Sequence, residues 1–301
     1  MENLKNKPGR AGEGIFRYMA FLGGAVLLFG AVLSGCSSAP KGPAELVTLR
    51  TMAQTQLELA NKEADQENYS GALEYLEEAR RLALGIDNPA LLVRTGLSRG
   101  NVLFYLGRAE EAGAEWNAAL AEAEAAGEPE LAALARIHIA RGRLLAVSGA
   151  EGETGAANAS QVAEEVRSLV GEELAVIKTD RLAAALGWTV AGLAEKELRR
   201  WNDAEASLKR ALDIHQQGNH LAEAAYDWFL IASVRSVAGR YEDALEALQS
   251  ALGFDRRAEN SYGLATDWRA LGDVYQKMGD ITRAGAAYRR SGEIFKAAGL
   301  D

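Results

Sequence analysis

Trp268-Arg269-Ala270-Leu271-Gly272-Asp273-Val274-Tyr275 is the stretch that decides the fold of this chain. A tryptophan stands at the same place forty and eighty residues upstream, as Trp228 and Trp188. Each of the three is followed sixteen residues later by an alanine: Ala204, Ala244 and Ala284. Such a period indicates stacked copies of one helical unit.

Small side chains explain the period, because they let two antiparallel helices cross closely. A larger side chain at the crossing would force strain that costs about 1–3 kcal/mol. On the first helix of each pair the small residues are Gly100, Gly192, Ala232 and Gly272, and on the second helix they are Ala72, Ala112, Ala204, Ala244 and Ala284. Gly107, Gly239 and Gly279 are typical of turns, because glycine readily takes the left-handed conformation that ends a helix.

The pattern Trp268-x2-Leu271-Gly272-x2-Tyr275, followed by Ala284-x3-Tyr288, resembles the tetratricopeptide repeat (TPR). The longer period of forty is similar to the repeats of kinesin light chains and bacterial signalling regulators. The resemblance covers nearly all of residues 44–301 and implies an all-α solenoid, a right-handed superhelix of about five helical hairpins with an open concave face. Each hairpin of such a solenoid is stabilised mainly by its neighbours.

The repeat frame slips at about 127–178, where we predict one irregular repeat with an insertion. Residues 131–147 have the pattern of a first helix, residues 148–155 that of a loop, and residues 157–170 that of a degenerate second helix. The enlarged turn is either a partner-binding insertion or length drift, which a loop tolerates at little entropic cost. We favour drift.

The N-terminus has the pattern of a secretory signal peptide. Residues 1–17 carry four basic side chains, and residues 18–35 carry no charge. The ending Leu33-Ser34-Gly35-Cys36 resembles the lipobox of bacterial lipoproteins, which implies cleavage before Cys36 and lipid, including palmitate, on that residue. We therefore expect a signal peptide over 1–35, lipid attachment at Cys36 and a tether over 36–43. The alternative is an uncleaved membrane-spanning helix, since the uncharged stretch is near the minimum length for one.

The compartment follows from the same resemblance. An aspartate after the lipid-bearing cysteine retains such lipoproteins in the inner membrane, and here Ser37 stands at that position. We therefore expect a lipid-anchored protein of the cell envelope, on the outer membrane and facing the periplasm. Cys36 is the only cysteine, so the fold cannot be held by an internal disulfide.

Charge limits the class of partner. The net charge is −9, whereas a nucleic-acid-binding protein needs a basic face. We expect no nucleic-acid partner.

No catalytic or metal-binding constellation is evident in the sequence, and we expect no cofactor, no metal and no enzymatic activity. His215 and His220 lack the spacing of metal ligands on one helix face, and we interpret them as turn or cap residues. Asp227 and Asp267 share one position of the repeat, and we interpret them as helix-start charges.

The TPR resemblance implies a ligand groove lined by the first helices. The residue after each motif tryptophan and the residue four further on would face it, and Tyr226 and Leu230 would flank them. The predicted groove residues are Thr189, Leu193, Tyr226, Phe229, Leu230, Ser233, Arg269 and Asp273. Phe229 is either a recognition anchor or a packing residue. The lysine and asparagine set with which some TPR proteins clamp a C-terminal carboxylate is absent from these positions.

Two functions agree with these patterns. The first is a lipid-anchored, non-catalytic scaffold that binds a protein or peptide segment in its concave groove and supports assembly or regulation of a cell-envelope complex. The second is a periplasm-facing regulator that senses a ligand, with the segment near 148–156 as its mobile element. Lipid anchoring would raise the local concentration of the groove near a membrane partner.

Overall fold

A computed structural model describes residues 44–149 and 152–300, and these residues form helices and turns without any strand. The first helices of successive pairs are α1 (Ala44–Asp65), α3 (Pro89–Tyr105), α5 (Pro129–Val147), α7 (Arg181–Glu197), α9 (Leu221–Val237) and α11 (Ser261–Lys277). The second helices are α2 (Tyr69–Gly85), α4 (Ala109–Ala125), α6 (Gly152–Val176), α8 (Trp201–Gln217), α10 (Tyr241–Ala258) and α12 (Ile281–Ala297). The described residues thus form six hairpins, rather than the five or so that we expected.

The small residues of the repeat lie at the helix crossings, as predicted. All five alanines of the second helices are buried, from Ala72 to Ala284, and so are Gly100, Gly192 and Gly272. A Cβ on Gly192 would lie 2.7 Å from Cγ of Leu208 and 3.1 Å from the carbonyl oxygen of Ala204. Any side chain at this position would therefore push α7 and α8 apart.

One conformation serves nearly all the turns. Gly239 and Gly279 have φ angles of 79° and 80°, and the position forty residues before Gly239 holds Arg199, with φ 56°. The left-handed region is thus required by the geometry of the turn and not by glycine itself. Glycine is the residue that adopts it without strain.

The irregular middle repeat differs from our expectation. Helix α6 begins at Gly152 and has 25 residues, whereas most of the described helices have 17. The loop predicted over 148–155 is therefore shorter, and the extra residues lengthen a second helix. Glycine and threonine near its start suggested a loop, but the buried positions Ala159, Ala163, Val166 and Val170 give the segment a helical apolar stripe.

The first helices adjoin one another along one side of the stack, with contacts between α1 and α3, α3 and α5, α5 and α7, and α9 and α11. This side is called the first-helix surface below. No helix among residues 44–149 and 152–300 is both long enough and apolar enough to cross a bilayer. The predicted leader, Cys36 and the tether lie outside the described residues.

Candidate binding groove

Two lysines and two serines connect three successive first helices across the first-helix surface. Lys196 on α7 donates from Nζ to Oγ of Ser233 on α9, at 2.9 Å. Lys277 on α11 donates from Nζ to Oγ of Ser236, also at 2.9 Å. Because the serines are three residues apart, they lie on one face of α9. We call these four residues the lysine–serine row.

Burial and two neighbouring charges of opposite sign act on the buried end of the row, at Lys196. Burial lowers the pKa of Lys196, and the charge of Lys277 lowers it further, while the adjacent Glu197 acts in the opposite direction. Of the two neighbouring charges, Glu197 has the larger effect on Lys196. Lys196 is half-buried and Lys277 is exposed, so the row reaches from the packed interior to solvent.

The predicted groove residues divide into a buried set and an accessible set. Ser233 and Arg269 are half-buried and Asp273 is exposed, whereas the other five have at most 8% of their surface exposed: Thr189, Leu193, Tyr226, Phe229 and Leu230. A peptide-binding role for these eight residues stays a prediction.

Two of the buried residues have contacts that explain their position. Phe229 stacks on Tyr226 with 6.2 Å between ring centroids, so packing accounts for its burial. Thr189 donates a hydrogen bond to the carbonyl oxygen of Ala185, at 3.0 Å.

Lys196, Ser236 and Lys277 were not found from the sequence, although the repeat contains a signal for two of them. Lys196 and Ser236 are forty residues apart, and each stands three residues after a predicted groove position, Leu193 or Ser233. Residues three apart are neighbours on a helix surface. Extending the groove by one such step along the helix would have included both.

A cleft of about 440 Å³ lies where the start of α7 meets the end of α8. It is lined by Arg94, Thr179, Asp180, Arg181, Leu182, Ile214, Gly218 and His220. Asp180 caps α7 by accepting from the backbone N–H of Ala183, at 3.0 Å, and pairs with Arg94 at 2.5 Å. The volume is within the range of small-molecule sites.

His215 and Asp227 correct two of our interpretations. His215 is fully buried in α8 and is not a turn or cap residue, although His220 does occupy the cap position of α9. Asp227 is fully buried in the second turn of α9 and is not a helix-start charge. Nδ1 of His215 lies 2.6 Å from Oδ2 of Asp227. Burial raises the pKa of Asp227 to about 6, even though the hydrogen bond with His215 lowers it.

Asp267 corrects the same interpretation one repeat later. It has 2% of its surface exposed, lies in the second turn of α11 and has a pKa raised well above the usual range, first by burial and then by the charge of Asp255. Residues 255 and 267 stand forty positions after His215 and Asp227, so this place in the repeat holds a buried polar pair twice. Both pairs are closed to solvent and link a second helix to the next first helix. Residues 44–149 and 152–300 contain no cluster of three or more histidine, cysteine or acidic side chains placed to hold a metal ion.

No protein-family model matches this sequence, and no curated protein matches it either. Solved structures do match. BtubC (BKLC) from P. vanneervenii has a TM-score of 0.52 and 19% identity, over 82% of this chain and 92% of that one. A Rap protein complexed with competence and sporulation factor has a TM-score of 0.53 and 17% identity, over 83% of this chain and 67% of that one. The apo form of RapI has a TM-score of 0.52 and 11% identity, over 86% of both chains.

The protein has the fold of TPR-like helical-repeat proteins. At these identities the likeness shows the fold alone. In the TPR-like solenoid, the lysine–serine row and the accessible residues Arg269 and Asp273 all belong to first helices. The first-helix surface is therefore the candidate binding groove.

Proposed function

We propose that this protein is a non-catalytic TPR-like scaffold that binds a protein or peptide segment along its first-helix surface. The observation that carries the proposal is the lysine–serine row, which presents hydrogen-bonding groups from α7, α9 and α11 in one line. A segment lying along this line would contact three successive hairpins. The Rap protein of similar fold that is complexed with competence and sporulation factor is a precedent for binding by such a solenoid.

A second part of the proposal concerns the location of the protein in the cell. We propose that lipid on Cys36 anchors the protein in the cell envelope, on the outer membrane and facing the periplasm, where the groove supports assembly or regulation of an envelope complex. The lipobox-like residues 33–36 and the uncharged stretch before them support this location.

Site-specific photo-crosslinking tests the groove. A photo-reactive amino acid is placed at Ser233 or at Asp273 in the full chain, and at the exposed Glu246 of the second helix α10 as the matched control. We expect protein adducts from 233 and 273 and none from 246. Adducts of equal yield from all three positions, or from none, would contradict the proposal.

Palmitate labelling tests the anchor. Cys36→Ser should give an unprocessed precursor without label, while the neighbouring Ser38→Ala should be processed and labelled like the parent chain. Label that persists on Cys36→Ser would place the lipid on another residue.

The cleft between α7 and α8 supports a second candidate function, the sensing of a small ligand. Its volume of about 440 Å³ and its apolar residues Leu182 and Ile214 suit a small molecule. A thermal-shift screen of the full chain with small metabolites separates the two functions. Stabilisation by a metabolite that is lost in Ile214→Trp would favour sensing.

A further inference from the structure

Asp255 at the end of α10 and Asp267 in α11 form a buried pair of carboxyl groups where the last two described hairpins meet. The two residues have 1% and 2% of their surface exposed, and a hydrogen bond joins their side chains. A carboxylate has oxygens that accept but no hydrogen to donate, so a bond between two carboxyl groups requires one proton. A proton is therefore part of the structure of this junction.

The surroundings of the pair offer little that could replace this proton. Asn260 donates from Nδ2 to Oδ1 of Asp255 at 2.9 Å, but Oδ2 of Asp267 is buried and has no hydrogen-bond partner among the described residues. Among those residues, the charges that act on Asp267 belong to α10: Asp255 and the exposed Arg256, which opposes it. The buried residues of α12 are all uncharged, namely Ala284, Ala287 and Ser291. Two carboxylates in contact here would repel each other, with one exposed arginine to offset them.

The hairpin of α11 and α12 rests on one neighbouring hairpin. Helix α11 packs on α10 and α9, and no described helix follows α12. The junction between α8 and α9 has a different pair at the same place in the repeat, His215 with Asp227. A neutral histidine still has one N–H to donate, so a histidine–aspartate bond survives when the aspartate is ionised. The bond between Asp255 and Asp267 does not.

We propose that the Asp255–Asp267 pair is a proton-dependent latch, which holds the last described hairpin on the stack at low pH and loosens it as the pH rises. When the shared proton passes to solvent, the hydrogen bond is lost and two buried carboxylates remain in contact. Opening of the junction exposes both carboxylates to water, so the closed junction keeps a proton that the open junction releases. The stability of the junction therefore falls as the pH rises above about 4, until the pH reaches the raised pKa of the closed pair.

The latch acts whether or not the candidate binding groove holds a segment. Arg269 and Asp273 of the predicted groove lie on the same hairpin, so loosening would also displace that end of the groove.

Hydrogen exchange followed by mass spectrometry tests the latch on the full chain from about pH 6 to about pH 8. Each exchange rate is divided by the rate of an unstructured chain at the same pH, because the exchange reaction itself speeds up with pH. We expect the protection of α11 and α12 to fall by up to about tenfold per pH unit, as for one released proton, while α7 and α8 keep theirs. The range lies above the pKa of Asp227, which is about 6, so that residue does not contribute.

Substitutions assign the pH dependence to the pair. Asp255→Asn with Asp267→Asn keeps the shape of the pair and removes its proton, so the protection of α11 and α12 should no longer depend on pH. Asp255→His copies the pair of the preceding repeat, and at about pH 8 it should protect α11 and α12 better than the parent chain does. This is a gain, which a misfolded variant cannot produce. The exposed control Glu246→Gln, also on α10, should lose protection with pH as the parent chain does.

Three results would overturn the latch. The first is equal protection of α11 and α12 at both ends of the pH range in the parent chain. The second is a fall in protection that persists in the double asparagine variant, because another group would then release the proton. The third is an equal fall in α7 and α8, which would mean that the whole stack loosens and not this junction.

Discussion

At the scale of single residues, Trp116 shows how a large side chain fits into a repeat built on small ones. It has 4% of its surface exposed, donates from Nε1 to the carbonyl oxygen of Leu97 at 3.3 Å, and lies between Gly100 and Gly142. A Cβ on either glycine would overlap the indole ring. The close packing of three helices around one tryptophan therefore depends on two missing side chains.

Gly100→Ala should consequently lower the free energy of unfolding by about 1–3 kcal/mol, as overpacking does. Gly113 is the matched control, because it lies in the same hairpin and a Cβ there would meet no atom within 4 Å. Gly113→Ala should stabilise the protein by up to about 1 kcal/mol, since alanine is the better helix former. Urea unfolding of both variants checks this, and equal effects would show that Trp116 does not occupy the gap.

Asp227 should make stability depend on pH in a defined window. Its pKa is raised from 3.8 to about 6, so between these values the folded chain keeps a proton that the unfolded chain releases. Stability therefore falls as the pH rises from about 4 to about 6. Relative to the parent chain, Asp227→Asn should gain up to roughly 3 kcal/mol across this window. Asp213→Asn, an exposed control on α8, should show no such change. A stability difference between Asp227→Asn and the parent chain that stays the same from pH 4 to pH 6 would contradict the prediction.

The sequence predicts the environment of a residue well when that environment is set by the residue's own helix crossing, and poorly when it is set by a partner on another helix. The small residues at the crossings were predictable, because a helix crossing excludes large side chains whatever lies around it. Asp227 was misinterpreted because its partner His215 lies on another helix, and a charge near a helix start does not reveal burial. Lys196 was missed because the groove was extended in steps of four along each helix and not also in steps of three.

At the scale of helices, Glu205 shows how neighbouring elements are joined by charge. Its carboxylate accepts from Arg235 on α9 at 2.7 Å and from Arg240 at 2.8 Å, and it pairs with Lys209 on its own helix. Burial alone would raise the pKa of Glu205, but the three cations together hold it well below its usual range. This stabilisation is present above the unfolded pKa of about 4.5 and decreases as the pH falls.

Glu205→Gln should therefore lower the free energy of unfolding by about 1–3 kcal/mol at pH 7, because three clustered cations lose their shared partner. At pH 3 the loss should be smaller. Glu246→Gln, at an exposed position of α10, is the control and should have no effect beyond about 0.5 kcal/mol. If the loss in the free energy of unfolding caused by Glu205→Gln does not change with pH, the packing of this side chain, and not its charge, holds α8 against α9 and α10.

Helix lengths were harder to predict than helix identities. The forty-residue period placed the hairpins correctly from α7 onward, since each contains its own tryptophan or small-residue marker. Helix α6 contains no such marker, and glycine and threonine at its start are typical of loops. Its apolar stripe was the better signal, because burial against α5 and α7 outweighs low helix propensity at a few positions.

At the scale of the whole molecule, each helix contacts mainly the helices next to it in the stack. We therefore expect a destabilising substitution to affect only its own hairpin and the adjacent helices. Ala204 and Ala284 occupy the same repeat position, and both are buried at a crossing. Helix α8 contacts both α7 and α9, whereas α12 contacts mainly α11. Leucine at either position should strain its own crossing by about 1–3 kcal/mol, but the strain should spread differently along the stack.

Hydrogen exchange followed by mass spectrometry measures this spread. Ala284→Leu should speed exchange in α11 and α12 only, because no described helix follows α12. Ala204→Leu should speed exchange in α7 and α8, and also in α9 and α10, since α9 packs directly on α8. Faster exchange throughout residues 44–300 in both variants would mean that the solenoid unfolds as one cooperative unit. In that case coupling along the stack, and not the sum of neighbouring interfaces, would govern its stability.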